Sequence, residues 1–339
     1  MKKIANFQRK LVKSCPEELI KTEYFQPKIK LPLIIKPSVN GVNLIDWAAN
    51  NLEFINSQIL QHGAILFRNF NLNYVAEFEK FIATICGEVL EYRYRASPRS
   101  RISGRIYTST DYPADQSIFP HNEHAYSPVF PGKIFFYCLY PAEVGGETPI
   151  GSCRKIFERI DPEIRDRFIE KKVMYVRNFG DGFGLPWQTV FQTTDKAEVE
   201  NYCHQNGLEF EWKENNRLRT RQLSPAIVKH PHTGEITWFN HATFFHISTL
   251  PVPIRNAMLA EFKEEDLPNN TYYGDSSPIE SETLEKLRDA YLQEMVTFSW
   301  QKSDILMLDN LLAVHGRQPY IGSRKVVVGM AEPLSHTEI

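Results

Sequence analysis

Cysteine is scarce in the 339-residue chain: Cys15, Cys86, Cys138, Cys153 and Cys203 are widely spaced, odd in number and form no CxxC pair. That argues against a disulfide framework and against a cysteine-built zinc site, and it suits a reducing compartment, so a cytoplasmic protein is expected. Long apolar runs are missing too. None approaches the roughly 18 residues of a membrane span. The charged start Met1-Lys2-Lys3 is followed by no apolar stretch, so no secretory leader is expected. Basic excess is also absent, with 39 Lys plus Arg against 41 Asp plus Glu and a formal charge of −2. Such a chain has no general attraction for a phosphate backbone, and nucleic acid is not expected as a partner. Repeats, low-complexity tracts and an obvious interdomain linker are lacking. What remains is an ordinary globular composition, long enough for one large core.

Residues 1–40 are rich in Lys and Pro and weakly periodic, which predicts an extended arm packed on the surface. The spacing of Leu44, Ile45, Trp47, Ala48, Leu52, Ile55 and Ile59 predicts an amphipathic helix over Asn43–Gln61. Ala64–Phe67 reads as a buried strand and Val75–Cys86 as a second helix. After residue 100 short β-rich segments recur: 134–139, 173–176, 227–228, 236–239, 296–298, 305–308 and 325–328. Turn signals such as Gly145-Gly146 and Thr233-Gly234 separate them. Helices are predicted over Arg154–Lys171 and Ile279–Glu294. Many short strands with a few flanking helices predict a mainly β fold, a double-sheet jelly roll.

The strongest local signal is His121-Asn122-Glu123. In an extended segment, residues two apart share a face, so His121 and Glu123 can converge while Asn122 turns away. An imidazole and a carboxylate are two members of the 2-His-1-carboxylate set of non-haem iron oxygenases. The third must come from a distant strand, and His315, after Asp309-Asn310-Leu311-Leu312-Ala313-Val314, is the candidate. HxE alone recurs by chance, and most of the other histidines, such as His124, His230, His232, His241 and His246, read as hydrogen-bonded or surface groups. Zinc would accept the same donors, although no HExxH is present. The combination strengthens the signal. Arg324 and Lys325 lead into Val326-Val327-Val328, where a guanidinium could grip a carboxylate bidentately. Thr148, after Gly145-Gly146-Glu147, could offer a hydroxyl to the same group.

These segments resemble the taurine dioxygenase (TauD/TfdA) family of Fe(II)/2-oxoglutarate oxygenases, from about His62 to Pro333. The motifs are His121-Asn122-Glu123, Gly145-Gly146-Glu147-Thr148-Pro149, Asp309-Asn310, His315-Gly316-Arg317 and Gly322-Ser323-Arg324-Lys325. Within the family the chain is similar to syringomycin-type hydroxylases of nonribosomal peptide pathways. Tyr107-Thr108-Ser109-Thr110-Asp111-Tyr112, Val176-Arg177-Asn178-Phe179 and Trp238-Phe239-Asn240-His241-Ala242 carry that likeness. The resemblance implies one clavaminate synthase-like domain over 1–339, a double-stranded β-helix with its core over 100–335. It implies Fe(II) on His121, Glu123 and His315, with 2-oxoglutarate and O₂ as cosubstrates. Thr148 stands at the family's spacing for the 2-oxoglutarate threonine. The family's 2-oxoglutarate arginine corresponds to Arg324 or Lys325, and Arg324 is preferred because a fork holds a carboxylate better than an ammonium. The family's sulfonate-binding arginine falls near Val328 or Gly329, so taurine is not the expected substrate.

The implied reaction is hydroxylation of an unactivated C–H bond, at the β-carbon of an amino acid or of an aminoacyl group on a peptidyl carrier protein, and the carrier-tethered form is the one expected. Desaturation or epoxidation of a free amino acid or small acid is the alternative, and a non-catalytic jelly-roll binding protein or a zinc hydrolase are the readings from other classes. A carboxylate at position 123 leaves no free position for a halide, which disfavours halogenation. The run Arg93, Arg95, Arg99, Arg101 and Arg105 is either a solvated loop or a recognition element for a carboxylate or an acidic carrier. Arg105 and Asn240 are taken from these stretches as substrate candidates. Trp187, Trp238, Phe239, Phe244 and Phe245 are candidates for the pocket wall.

Overall fold

The computed structural model describes residues 19–336 apart from 92–93, 95–98, 111 and 181–183. Its centre is the strand Val129–Tyr140, almost continuously apolar and buried from Phe130 to Cys138. A strand buried throughout must be covered on both faces, and successive side chains show how. Phe135 and Tyr137 pack, with Ile65, Phe67, Ile305 and Met307, against a helical layer. Ile134, Phe136 and Cys138 face the other way, toward Ile150, Ala313, Phe298 and Trp300. Antiparallel partners Ile305–Asp309 and Lys325–Ser335 flank the central strand and extend the same alternation.

These three belong to an eight-stranded sheet. Toward one edge lie Ala64–Phe67, Leu33–Pro37 and Ile20–Glu23; toward the other lie Ile106–Thr108 and Arg101–Ser103. A small sheet of Ile118–His121, Ala313–Arg317 and Ile150–Ser152 faces it. The two sheets enclose the apolar layer that holds Ile150 and Ala313, and this is the jelly roll expected. A further four-stranded sheet, Glu209–Lys213, Arg217–Ser224, Val173–Phe179 and Asn269–Tyr273, packs with Pro162–Lys171, Lys196–Gln205 and Ser281–Gln293 around a separate core.

Ala64–Phe67 and Val75–Cys86 form as expected. Three expectations need correction. The surface arm lies outside the described residues over 1–18, but Leu33–Pro37 is a buried strand, with Leu33, Ile34 and Ile35 at most 2 % exposed. Two of the expected helices, over Asn43–Gln61 and Arg154–Lys171, are each two, whereas Ile279–Glu294 is a single helix over Ser281–Gln293. Leu44–Ala49 and Leu52–His62 are separated at Asn50-Asn51, with the Asn43 side chain accepting the amides of Ile45 and Asp46. Cys153–Arg159 and Pro162–Lys171 are separated because Pro162 cannot continue a helix yet starts one well, capped by Asp161. Finally, Val296 makes a single bridge to Ile150 rather than a strand.

Candidate metal centre

Strands of the small sheet bring the two distant histidines together. His121 ends Ile118–His121 and pairs directly with His315 of Ala313–Arg317, the ring centroids 4.6 Å apart. The approach is close: a Cβ on Gly316 would stand 2.6 Å from the Ile118 carbonyl oxygen, which explains glycine after the histidine. Glu123 follows just beyond the strand, and the expected alternation holds there. Asn122 turns away and donates to the Asn310 carbonyl at 2.6 Å. The Asn310 side chain accepts the Glu123 amide at 2.7 Å and donates to the Glu123 carbonyl at 2.9 Å. One donor atom from each of His121, Glu123 and His315 lies within 4.8 Å of the others.

The electrostatics suit a cation. Burial pushes His121 down and His315 well down from the ordinary imidazole range, so both rings are neutral. Burial alone would raise the Glu123 carboxyl. The Arg99 guanidinium beside it outweighs this and holds the group well below the usual carboxylate range. Arg99 Nη2 donates to both carboxylate oxygens, at 2.9 and 2.8 Å, with both side chains almost wholly buried. Nδ1 of His121 lies 2.9 Å from the Phe119 carbonyl; as the donor there, it leaves Nε2 as the free ligand atom. Two neutral imidazoles and an anionic carboxylate, preassembled and buried, fit Fe(II), which prefers this mixed donor set.

Two compartments meet at these ligands. The larger, about 580 Å³, has His121 and Glu123 in its wall together with Tyr126, Phe244, Phe245 and Leu250. Phe244 stacks on the His121 ring at 4.2 Å. The smaller lies on the His121 and His315 side and contains Thr148, Arg317 and Arg324. It adjoins an outer polar recess of about 390 Å³ that shares Arg317 and Arg324 and adds Lys325. Arg324 lies along the Gly145-Gly146 turn. Its Nε donates to the Gly146 carbonyl at 2.9 Å, and a Cβ on Gly146, whose φ is +73°, would stand 2.9 Å from Arg324 Cδ. Arg317 donates to the carbonyls of Tyr112, Pro113 and Gln116. Neither guanidinium has a carboxylate ion-pair partner among the described residues. Burial and then the nearby Arg317 bring Arg324 down to about 10. A buried and a half-buried guanidinium, neither in ion-pair contact with a carboxylate of the described residues, form a fitting cradle for a dicarboxylate. Thr148 is buried and accepts Trp300 Nε1 at 3.1 Å, which leaves its hydroxyl proton to donate.

The structure thus brings together His121, Glu123, His315, Thr148 and Arg324. Lys325 reaches the outer recess only. Two substrate candidates are placed elsewhere. Arg105 is on the surface, where it pairs with Glu88 and donates to the Val89 carbonyl at 2.6 Å. Asn240 is buried and fully engaged, donating to the Ala226 carbonyl at 2.7 Å and accepting the Ala242 amide at 2.9 Å. It shapes the turn that presents His241 and Phe244 and does not line the cavity. Among the aromatic candidates, Phe244 and Phe245 are wall residues, whereas Trp187 and Trp238 belong to the core. Phe239 packs on Phe130. Within the arginine run, Arg93 and Arg95 lie outside the described residues, and Arg99 pairs with the candidate ligand Glu123. Sequence reasoning missed that role for Arg99, and it missed Arg317 altogether, although the latter stood in His315-Gly316-Arg317.

Comparison with known proteins agrees with this geometry. Residues 23–330 match the family described as taurine catabolism dioxygenase TauD, TfdA family. The dapdiamide synthesis protein DdaC of Enterobacter agglomerans is 40 % identical over 280 residues, 83 % of this chain and 85 % of that protein. A clavaminate synthase-like protein of Arabidopsis thaliana is 29 % identical over 82 % of this chain and 84 % of its own length. Among solved structures, PvcB, described as an Fe, alpha-ketoglutarate dependent oxygenase from an isonitrile synthetic pathway, superposes with a TM-score of 0.56 at 13 % identity, covering 99 % of this chain and 97 % of that one. AAD-2 in complex with Mn(II) and N-oxalylglycine gives 0.54 at 13 % identity over 94 % and 99 %. At such identities these structures speak for the fold.

Proposed function

The chain belongs to the TauD/TfdA dioxygenase family, and from that premise we propose that it hydroxylates an unactivated C–H bond, at the β-carbon, of an amino-acid unit in natural-product biosynthesis. As a family member it is a 2-oxoglutarate-dependent non-haem iron dioxygenase. The observation that carries the more specific reading is the position of the three ligands in a wall shared by a small cationic compartment and a large, mostly apolar cavity. The likeness to a dapdiamide synthesis protein supports the biosynthetic setting.

His121, Glu123 and His315 would hold Fe(II). Thr148 and Arg324 would hold the far carboxylate of 2-oxoglutarate, with Lys325 at the mouth of the recess. Bound there, the iron with 2-oxoglutarate and O₂ supplies oxidative decarboxylation to succinate and CO₂, and the oxidising power to break a C–H bond. The chain's own residues orient and exclude water. Phe244 fixes the His121 ring from the cavity side, and Asn310 fixes the backbone that carries Glu123. The apolar cavity walls hold the substrate carbon skeleton in a dry space beside the ligands. With Glu123 present as a ligand, no position is left for a halide, which favours hydroxyl as the group transferred.

The substrate form we favour is a free amino acid or a small amino-acid derivative. Arg101 donates to the Gly104 carbonyl and Arg105 pairs with Glu88, so these two members of the run are engaged within the chain rather than held open for an acidic carrier. The test is anaerobic loading with Fe(II) and 2-oxoglutarate, then exposure to O₂ with a panel of free amino acids and aminoacyl carrier proteins. Succinate formation and a 16 Da gain are followed by mass spectrometry. Oxygen insertion into a free compound supports the proposal. Turnover confined to carrier-bound substrates overturns the free form, and succinate release with no oxygenated or dehydrogenated product overturns the reaction.

A further inference from the structure

Arg99 is buried beside Glu123 and borders both compartments, with Nη2 on both carboxylate oxygens. A metal ligand held this way raises a charge question. Arg99 and Glu123 together are neutral. A divalent ion added to the pair leaves two positive charges uncompensated in a buried site, with Arg317 and Arg324 adding to the positive field from the cosubstrate side. A dianion bound next to the ion removes that excess. Buried excess charge is costly and is relieved by whatever neutralises it.

We propose that Arg99 is a coupling residue. By forming the ion pair with Glu123 it makes iron alone a poor occupant, and it makes the dicarboxylate cosubstrate and the metal favour each other's binding. The inference rests on the metal and 2-oxoglutarate sites proposed above and adds a role for a residue outside the ligand set. By linkage the effect is reciprocal: the metal must tighten the dicarboxylate as much as the dicarboxylate tightens the metal. The wild-type pair also holds the Glu123 carboxylate in place through Arg99 Nη2 on both oxygens, so the group does not have to be ordered on binding.

The test uses Mn(II), which does not start turnover, and calorimetric titration of the metal with and without saturating 2-oxoglutarate. For the wild-type protein, 2-oxoglutarate should tighten Mn(II) binding by about 5–150-fold, the usual range of coupling between sites. In Arg99→Gln, Mn(II) alone should bind more tightly than in wild type, and the coupling should shrink by about tenfold. Arg99→Lys retains the charge without the planar fork and should keep most of the coupling, which separates a charge effect from lost packing. Circular dichroism establishes that each variant is folded. If Arg99→Gln weakens Mn(II) alone and leaves the coupling unchanged, Arg99 only positions Glu123 and the proposal fails. If Arg99→Gln does not fold, Arg99→Met, which also removes the charge but keeps an unbranched stem, is read by the same criteria: reduced coupling supports the charge role, and unchanged coupling overturns it. Wild-type protein that binds neither Mn(II) nor 2-oxoglutarate would instead overturn the metal-site reading on which this one stands.

Discussion

The two compartments beside the ligands differ in how they are built. The small one is made from the jelly roll itself: Thr148 precedes the strand Ile150–Ser152, His315 and Arg317 lie on Ala313–Arg317, and Arg324 leads into Lys325–Ser335. The large one takes much of its wall from connecting segments. Tyr112 and Gln116 come from the stretch before Ile118–His121, while Phe244, Phe245 and Leu250 come from the turns after Ile236–Trp238. Strands paired on both sides hold a group in place through the sheet, so the small compartment suits a cosubstrate that never changes. Loops exchange residues without cost to the core, so the large cavity suits the part of a reaction that varies between relatives.

The largest expected effect removes what both compartments share. His315→Ala or His121→Ala should abolish turnover and Fe(II) binding while the protein stays folded, because these ligands face a cavity rather than complete a packed layer. Succinate release, metal titration and circular dichroism report the three outcomes. Near-normal activity of His315→Ala would mean that the ligand set is wrong.

The next effect belongs to the small compartment alone. Arg324→Ala should raise the requirement for 2-oxoglutarate by about 30-fold or more, since losing one partner of a buried charge pair costs roughly 2–5 kcal/mol. Lys325→Ala, acting at the outer recess, should change it by less than about fivefold, as exposed pairs contribute at most ~1 kcal/mol. Initial rates over a range of 2-oxoglutarate check both, and the reverse ranking would move the cosubstrate contact to Lys325.

A smaller effect, in the other compartment, makes the contrast sharper. Leu250→Ala removes apolar wall from the large cavity and should raise the substrate KM by about tenfold, a typical loss for an apolar pocket contact. The dependence on 2-oxoglutarate should not move. A shift in the 2-oxoglutarate requirement as large as that in substrate KM would show that the compartments are not independent.

The same contrast explains what was legible in the sequence. That His121, Glu123 and His315 would converge, with Thr148 and Arg324 nearby, could be expected because strand alternation and the motif spacings of the resembled family carry them. Ala64–Phe67 was legible as an unbroken apolar run, and Val75–Cys86 as an amphipathic period ended by Gly87. Leu33–Pro37 was hidden by the Lys- and Pro-rich residues around it, since only its position inside the large sheet makes it buried. Arg217–Ser224 was missed for a related reason. Its run of Arg, Thr and Gln reads as polar, yet Arg219 is buried against Asp266 and Asn178. Asn240 looked like a substrate contact because a buried amide that holds a turn and an amide that touches a ligand have the same sequence signature. Arg99 was lost among neighbouring arginines, because nothing in the run shows which member turns inward.

The smallest expected effect concerns the surface away from both compartments, where Arg105 lies against Glu79 and Glu88. Arg105 is about two-fifths exposed and faces the still more exposed Glu88, a geometry that contributes little to stability or to binding. Arg105→Ala should therefore leave kcat/KM for a free substrate within about twofold of wild type. Salt provides the matching measurement. Raising ionic strength from about 0.1 M to about 1 M shortens the screening length from ~10 Å to ~3 Å, which weakens attraction between exposed charges and leaves buried contacts largely intact. A free substrate enclosed beside Phe244 and Leu250 should show nearly flat turnover over that range once 2-oxoglutarate is saturating. A carrier protein docking through exposed arginines would lose association rate steeply, and Arg105→Ala would reproduce part of that loss at low salt. Steep salt dependence together with an Arg105→Ala defect would assign the loop before the metal ligands to carrier recognition and replace the free substrate with a tethered one.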